Sequence, residues 1–425
     1  MSTSEQVIKY ERIYEVSPTR KLVMGIVELL IAAFIYLVFV RTVSPELMTR
    51  FVMTPGGITI GTAGNWVIPS RLTLILLTIL CVLIGGFQLF KGFGRATNAL
   101  VGLCGLFLIF SFLTWQAAGR SLNLAGMLTS AVLLAVPITL GAFSGVLSER
   151  AGVINIAIEG MMLMGSMFGA LLGSVTNNSL IGLMGAILSA LILAAIHAVL
   201  SIKYQINQII SGTVINIFSV GMTSFLSQKF LQENAALNNP PLFPRIALPG
   251  LSHIPILGPI FFNTNLFVYI MFILLIIIHV ALFSTRWGLR LRSVGEHPKA
   301  ADTLGINVIR TRYVAVLLSG IVAGIGGAFF TLGSVGRFDE GMTAGKGFIG
   351  LAAMIFGNWT PLGSLGAGFL FGFSDAIGSK LSLLGSSIPS QFMGMAPYLI
   401  TMIILAGFIG KGQAPAADGE PYEKE

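Results

Sequence analysis

Residues 72–90, LTLILLTILCVLIGGFQLF, decide the fold, because they form a long apolar run without a single charged side chain. A helix crosses the hydrocarbon core of a bilayer with about 20 mostly apolar residues, so this run predicts a membrane span. Similar runs lie at 22–40, 99–117, 125–147, 152–173, 180–201, 208–228, 265–284, 313–332 and 395–410. Together they predict an all-α polytopic membrane protein.

The stretch 347–378 is ambiguous, because Asn358, Trp359, Thr360 and Pro361 interrupt it. It is long enough for two short crossings, or for a re-entrant element whose open backbone is covered by protein. With two crossings there, the sequence predicts about twelve transmembrane segments, including broken or re-entrant helices.

The composition also indicates membrane residence. Hydrophobic residues make up 55% of the 425 residues and charged residues only 10%, against roughly 25% charged residues in soluble domains. The formal net charge is +8, and the 25 Lys and Arg lie sparsely between apolar runs. Basic residues on loops of this kind set the orientation of a membrane protein, so the charge does not indicate nucleic-acid binding. Cys81 and Cys104 both fall inside apolar runs, so neither a disulfide nor a metal framework is predicted.

Charge also orients the chain. With the N-terminus inside, most basic residues fall in cytoplasmic loops, and the positive-inside rule favours that orientation with both termini cytoplasmic. The polar start is too long for the basic region of a signal peptide, so the first span should remain as an anchor. We expect a cytoplasmic tail at 1–21, an accessory three-helix extension at 22–120, a transmembrane core at 121–410 and a second cytoplasmic tail at 411–425.

Two connecting segments differ from the rest. The external stretch 229–264 is rich in Pro and Asn and cannot continue a helix, so it should fold as an ordered cap on the outer face. The cytoplasmic stretch 285–312 is the longest interior loop of the core and is basic. Within it, Pro298–Leu304 predicts a short helix, with proline in the first turn and Gly305 after its end.

Motifs of soluble enzymes do not occur in the sequence. The stretch 341–347, GMTAGKG, lacks the spacing and the Ser or Thr after lysine that a phosphate-binding loop needs. HExxH, GxSxG and paired-cysteine motifs are absent, so we predict no catalytic and no metal-ligating residue. For His197 and His279, which lie alone within spans, a hydrogen-bonded packing role is favoured over ligation.

Ionisable residues inside apolar runs are costly there and are functional candidates by default. Glu28 is better explained by snorkelling or a pairing partner, and Asp375 by an interfacial position. Glu159 is the strongest candidate, because Asn155 precedes it by four residues and both should point from one face of a helix. Gly160 beside it permits a close helix approach or a break. The pair predicts hydrogen bonds to a polar solute, with a salt bridge from Glu159 to another span or subunit as an equal alternative.

Polar and glycine-rich residues form two further clusters. Gln208, Ser211 and Asn216 fall roughly along one stripe of their helix, where hydrogen bonding between helices is slightly favoured over solute binding. The stretches 341–349 and 357–363 are typical of the broken helices with which transporters expose backbone polar groups. Against this, glycine and proline are simply commoner in membrane helices.

Four separated segments carry a family resemblance: SERAGVINIAIEGMMLMGSMFGA (148–170), INQIISGTVINIF (206–218), GLRLRSVGEHPKAADTLGINV (288–308) and GMTAGKGFIGLAAMIFGNWTPLGSLGAGFLFGFSDA (341–376). They resemble the permease subunits of bacterial ATP-binding-cassette (ABC) importers of the branched-chain amino acid and ribose type, and within these the nucleoside branch. The resemblance covers about 125–410 and does not extend to the first 120 residues.

The resemblance implies a core like that of a type II ABC importer. It implies that part of the loop 285–312 is a coupling helix that docks into a groove on the cytoplasmic ATPase, formed by Gly295, Glu296, Pro298, Lys299, Ala300, Ala301, Leu304 and Gly305. It also implies that Asn155, Glu159 and Asn216 lie near the translocation cavity. Phe348 is an aromatic candidate for contact with the solute.

The function implied is the import of nucleosides across the bacterial cytoplasmic membrane. The partners would be a second, related permease, ABC ATPase subunits and an extracellular or periplasmic solute-binding protein. The chain itself would bind no cofactor, because ATP and Mg²⁺ would belong to the ATPase. A permease for ribose or another simple sugar is one alternative. A stand-alone transporter driven by an ion gradient, with Glu159 as proton carrier, is the alternative from a different class. An intramembrane enzyme is a remote alternative, because the sequence places no second acid, nucleophile or metal set opposite Glu159.

Overall fold

The computed structural model describes residues 18–383 apart from Gly57 and Thr59, together with Met395 and residues 413–424. In this part of the chain, nine helices are long and apolar enough to cross a membrane: Pro18–Val40, Ser70–Phe90, Thr97–Gln116, Leu124–Glu149, Ile158–Thr176, Ser179–Lys203, Gln208–Leu231, Leu266–Ser284 and Val308–Val335. They match nine of the predicted runs, and the run 395–410 lies outside the described residues. The prediction of an all-α polytopic membrane protein is confirmed.

The first of two compact units comprises the described residues up to Thr54 together with Ala63–Leu124. Its helices are α1 (Pro18–Phe34), which a π-helical turn prolongs to Val40, α2 (Ser70–Phe90) and α3 (Thr97–Gln116). Its strands are β1 (Met48–Val52), β2 (Trp66–Pro69) and β3 (Ser121–Asn123), in the sheet order β2-β1-β3. The pair β1–β2 is antiparallel and the pair β1–β3 is parallel.

An acidic side chain lies inside this three-helix unit. Glu28 of α1 is fully buried, and neither of its carboxyl oxygens has a hydrogen-bond partner within the described residues. Burial contradicts the snorkelling that the sequence suggested, and a pairing partner for Glu28 is not found among the described residues. Cys81 and Cys104 are buried as free thiols.

The second unit comprises Pro55–Thr62 and the described residues from Ala125 onward. Its helices are α4 (Leu124–Glu149), α5 (Ile158–Thr176), α6 (Ser179–Ala198), α7 (Gln208–Leu226), α8 (Leu266–Ser284), α9 (Arg286–Glu296), α10 (Pro298–Thr303), α11 (Val308–Ala328), α12 (Lys346–Phe356) and α13 (Pro361–Leu383). Helices α5, α6 and α11 pack against one another. Small residues permit this, since an added Cβ on Gly327 would lie 2.2 Å from the carbonyl oxygen of Met162.

Asparagine side chains begin four of these helices. Asn178, Asn207, Asn265 and Asn307 accept hydrogen bonds from backbone N–H groups in the first turns of α6, α7, α8 and α11. These N–H groups have no acceptor within their own helix, so an N-cap side chain satisfies them. Asn178, Asn207 and Asn265 stand within two residues of an apolar run, whereas the cap at Asn307 starts α11 one turn before its apolar run.

The segment 229–264, predicted as an ordered cap, contains short helical turns at Ala235–Asn238, Leu251–His253 and Gly258–Phe262. It also contains the antiparallel strands β4 (Arg245–Ala247) and β5 (Asn263–Asn265). The side chain of Asn238 exchanges two hydrogen bonds, of 2.7 and 2.9 Å, with the backbone of Phe338. The segment is thereby attached to the loop that leads into α12.

The stretch 347–378 is broken where the sequence predicted. Helix α12 ends at Phe356, and both Asn358 and Trp359 have positive φ, of 53° and 52°, before Pro361 begins α13. The turn needs Gly357, because an added Cβ there would lie 2.2 Å from the backbone nitrogen of Ser364. The 11 residues of α12 extend about 16 Å, roughly half the thickness of the hydrocarbon core. Helix α12 is therefore too short to cross alone.

The loop 285–312 is largely helical. Helix α10 confirms the predicted short helix, and Gly305 follows it with a φ of +79°. Helix α9 before it was missed in the sequence, although its buried residues Leu291 and Val294 fall at helical spacing. The loop is thus a pair of short helices.

Candidate functional site

A carboxylate from α5 binds the start of α12. Oε1 of Glu159 accepts hydrogen bonds from Thr343 Oγ1 at 2.7 Å and from the Gly345 N–H at 2.9 Å, and Oε2 accepts one from the Gly347 N–H at 2.6 Å. The side chain is buried, with Glu159 9% exposed. The first N–H groups of a helix lack partners within the helix and attract negative charge. Glu159 therefore stabilises the N-terminus of α12. We call Glu159, Thr343, Gly345 and Gly347 together the helix-start junction.

Glycine makes the helix-start junction possible. An added Cβ on Gly347 would lie 2.7 Å from the backbone nitrogen of Glu159 and 2.8 Å from its Oε2. Gly341 and Gly345 have φ of +66° and +77°, a backbone region that other residues rarely adopt. The glycine-rich stretch that predicted a broken helix is thus a loop that closes on Glu159.

Asn155 does not share a helix face with Glu159, contrary to the sequence prediction. Gly152 turns the chain with a φ of +80°, and α5 begins only at Ile158. Hydropathy showed an unbroken run there, because it does not report backbone dihedrals. The Asn155 side chain is fully buried, and its Nδ2 donates to Ser319 Oγ at 2.8 Å. Its Oδ1 has no partner in the described part of the chain.

Asn216 of α7 binds the backbone at the start of α5. Its Oδ1 accepts a hydrogen bond from the Gly160 N–H at 2.8 Å, and its Nδ2 donates to the Ile156 carbonyl at 2.9 Å. An added Cβ on Gly160 would lie 2.7 Å from Ser219 Oγ. Gly160 therefore sets the close approach of α5 and α7 that the sequence suggested, and Asn216 satisfies groups that the break before α5 leaves unpaired.

The other polar residues of the α7 stripe also bind neighbouring segments. Oε1 of Gln208 accepts a hydrogen bond from the Ile154 N–H at 2.6 Å. Ser211 Oγ lies 3.0 Å from Nδ1 of the buried His197, whose Nε2 lies 2.9 Å from the Ile154 carbonyl oxygen. The stripe thus makes hydrogen bonds between segments, the reading that the sequence slightly favoured, and His197 has a packing role.

Two side chains in the first turn of α12 point elsewhere. Phe348 is 46% exposed, so its ring faces away from the interior of the second unit. Lys346 Nζ forms an ion pair with Asp375 Oδ2 of α13, and both side chains are largely shielded from solvent. This ion pair holds α12 to α13 across the break, and it gives Asp375 a partner that the sequence did not reveal.

The residues implied for the coupling helix divide into a buried and an exposed set. Ala301 is 2% exposed and packs with Val294 and Val308. Gly295 is buried as well, since an added Cβ there would lie 2.3 Å from the Arg150 carbonyl oxygen. Pro298 is half-buried in the first turn of α10. The exposed residues of the set are Glu296, Lys299, Ala300, Leu304 and Gly305.

A cluster that sequence reasoning missed lies where α4 and α12 end. Trp359 Nε1 donates to Glu149 Oε2 at 2.6 Å, Arg150 Nε donates to the Trp359 carbonyl at 2.8 Å, and Arg150 Nη2 donates to the Asn358 carbonyl at 3.2 Å. Burial lowers the pKa of Arg150, an effect that nearby Glu296 opposes. These contacts bind the turn after α4 to the turn after α12.

Comparison with known proteins gives the family. A family model described as the permease component of the branched-chain amino acid transport system matches residues 127–409. The chain is 40% identical over 303 residues to the guanosine ABC transporter permease protein NupQ of Bacillus subtilis. The matched region covers 69% of this chain and 95% of NupQ. It is 40% identical over 305 residues to the nucleoside ABC transporter permease protein NupC of Lactococcus lactis, with the same two shares.

A third relative comes from an archaeon. The putative glucose ABC transporter permease protein TsgC13 of Haloferax volcanii is 33% identical over 328 residues, 71% of this chain and 98% of that protein. No solved structure matches the chain. The matched family range begins after α3.

Proposed function

Since this chain belongs to the family of branched-chain amino acid transport system permeases, we propose that it forms the translocation pathway of an ATP-driven importer for nucleosides. The solute class rests on the two relatives that are 40% identical, one named for guanosine and one for nucleosides. The chain spans nearly the whole length of both relatives.

The observation that carries the proposal is the meeting of two interrupted helices at Glu159. Helix α5 begins after the non-helical segment 153–157, and α12 begins after a glycine-rich loop. Transporters place solute sites beside such breaks, because unwound backbone and helix N-termini supply polar groups within the membrane. We therefore place the solute pathway next to the helix-start junction.

The four candidate residues would have different tasks at this pathway. Glu159 and Asn216 direct their polar atoms at backbone groups, so they shape the pathway by holding the helix starts. Asn155 is fully buried and donates to Ser319. Phe348 has the exposed side chain of the four, and its ring is our candidate surface for stacking with a nucleoside base. The three hydrogen bonds that Glu159 accepts support a structural cap rather than the proton carrier of the ion-driven alternative.

The driving force would arrive through α10. We propose that Ala300 and Leu304, the latter 80% exposed, dock into a groove on a separate ATPase subunit that binds ATP and Mg²⁺. Because Ala301 packs α10 against neighbouring helices, a displacement of α10 would move them together. This chain would contribute movement and a pathway, and no covalent chemistry.

The assembly we propose contains this chain, a second related permease, ATPase subunits and an extracellular or periplasmic solute-binding protein. It lies in the bacterial cytoplasmic membrane with both termini of this chain in the cytoplasm. A simple sugar is the second candidate solute, because the relative TsgC13 is named as a putative glucose permease.

Uptake in cells distinguishes the two solute classes. We expect cells that lack this chain to lose uptake of labelled guanosine and adenosine, and unlabelled nucleosides to compete in complemented cells while ribose does not. Competition by ribose without competition by nucleosides would assign the permease to sugars. Nucleoside uptake that survives deletion would reject the proposal.

A further inference from the structure

The C-terminal tail, residues 413–422, binds the end of α9, directly before α10. The Ala417 N–H donates to the Gly295 carbonyl at 2.9 Å, and the Ala416 N–H donates to Glu296 Oε2 at 3.2 Å. Both acceptors belong to the set implied for ATPase coupling. The tail is therefore attached to the loop at which the driving force would enter.

The same tail binds two turns on other helices. The Gly419 N–H donates to the Gly152 carbonyl at 3.3 Å, in the turn that precedes α5. The Gln413 N–H donates to Asn358 Oδ1 at 2.9 Å, in the turn between α12 and α13. The first turn leads into α5, which carries Glu159, and the second follows α12, whose opposite end binds Glu159.

The core is shaped to receive the tail. Ala417 is 3% exposed, and an added Cβ on Gly152 would lie 2.9 Å from the Ala417 carbonyl oxygen. Arg312 at the start of α11 donates from Nη1 to the Glu420 carbonyl at 2.8 Å. Tyr422 packs against the cluster that contains Ala301. Buried apolar contact and backbone pairing together indicate a fitted segment.

Charge is also buried where the tail meets the core. Burial raises the pKa of Asp418 to about 7, and the nearby Arg312 guanidinium partly opposes that rise. Glu149 of α4 also faces Asp418. Oδ1 of Asp418 has no hydrogen-bond partner within the described residues.

We propose that the tail is a positioning strap, which transmits movement of the coupling helix to the turn that leads into α5 and to the turn that ends α12. Its four backbone N–H donors link one acceptor region on α9 with the turns at Gly152 and Asn358. A displacement of α10 would thus reach the helix-start junction through hydrogen bonds as well as through packing. This inference rests on the proposed function for its consequence in transport, but the link itself is a property of the chain.

The test compares two neighbouring alanines in the tail. Ala417→Trp places a large ring where the side chain is buried and should displace the tail, whereas Ala416→Trp changes an exposed side chain and serves as the matched control. Deletion of 413–425 is a second disruptive variant, and deletion of 423–425, which starts at the exposed Glu423, is its control. The assembled complex in proteoliposomes, with labelled guanosine, gives the solute transported per ATP hydrolysed.

We expect Ala417→Trp and the long deletion to lower the solute transported per ATP at least fivefold while ATP hydrolysis continues, and both controls to stay within twofold of the parent. Wild-type ratios in both disruptive variants would overturn the inference. Absence of ATP-dependent uptake in the parent complex would instead reject the proposed function.

Hydrogen exchange of the purified chain tests the link without transport. In Ala417→Trp the amides of Gly345 and Gly347 should exchange at least fivefold faster than in Ala416→Trp, because the turn before α5 loses its attachment. Equal exchange rates in the two variants would overturn the strap.

Discussion

Glu159→Gln should loosen the start of α12 while preserving the size of the side chain. The carboxylate accepts three hydrogen bonds with two oxygens, whereas an amide has one acceptor oxygen. If that oxygen keeps Thr343 and Gly345, the amide NH₂ faces the Gly347 N–H. One charge-assisted hydrogen bond is then lost, and a buried donor is left facing another donor.

The magnitude follows from that geometry. Hydrogen bonds to charged groups contribute about 1.5–3 kcal/mol, and an unsatisfied buried donor costs about 1–3 kcal/mol. The lost hydrogen bond and the unsatisfied donor belong to the same site, so their contributions do not add fully. We therefore expect Glu159→Gln to lower the free energy of unfolding by about 2–4 kcal/mol. In thermal unfolding of a chain of 425 residues this corresponds to a midpoint lower by about 2–5 °C.

The assay is thermal unfolding of the purified chain in detergent, with Glu340→Gln as the matched control. Glu340 lies in the same loop but is exposed, and it accepts a hydrogen bond from the exposed Gln232. Exposed interactions of this kind contribute little, so we expect its midpoint within about 1 °C of the parent. If Glu159→Gln melts no lower than Glu340→Gln, Glu159 does not stabilise α12.

Three other predictions test neighbouring parts of the structure. The side chain of Ala300 is exposed on α10, where we propose that the ATPase docks. Ala300→Trp should therefore lower ATP-dependent uptake about tenfold and weaken co-purification of the ATPase, while the chain stays in the membrane. Normal uptake would reject the docking surface. Gly160→Ala should destabilise the chain by about 1–3 kcal/mol through a forced contact between α5 and α7, whereas Gly221→Ala, whose Cβ would meet nothing within 4 Å, should not. Docking of the tail should weaken up to tenfold per pH unit from about pH 4 to about pH 7, because the docked form raises the pKa of Asp418 to about 7 and favours its protonated state. A spin label on Glu423→Cys should report this loss. Asp418→Asn should weaken the pH dependence, while Glu149, which also faces this position, still titrates. Equal label mobility at pH 5 and pH 8 in the parent would contradict the prediction.

The spans were predictable because their length and composition follow from the membrane itself. Nine apolar runs became helices whose ends fall within a few residues of the prediction, except where backbone geometry intervenes. The run at 152–173 begins as a non-helical segment, since Gly152 adopts positive φ and α5 starts at Ile158. Hydropathy sums over side chains and cannot register such a break.

The site was predictable in its parts and not in its assembly. Glu159 was singled out because a charge in an apolar run is costly, and the stretch 341–347 because it is rich in glycine. Their contact joins residues 184 to 188 positions apart, and no local pattern encodes such a pairing. The contact of Trp359 with Glu149 and the contacts of the tail were not predicted for the same reason, since the partners lie far apart in the sequence.

The most direct test of ATP-driven nucleoside import uses proteoliposomes that contain this chain, its permease and ATPase partners and the solute-binding protein. We expect labelled guanosine to enter only when ATP is present on the ATPase side, and this chain alone to transport none. Guanosine uptake by this chain alone, driven by an ion gradient without ATP, would contradict the proposed function.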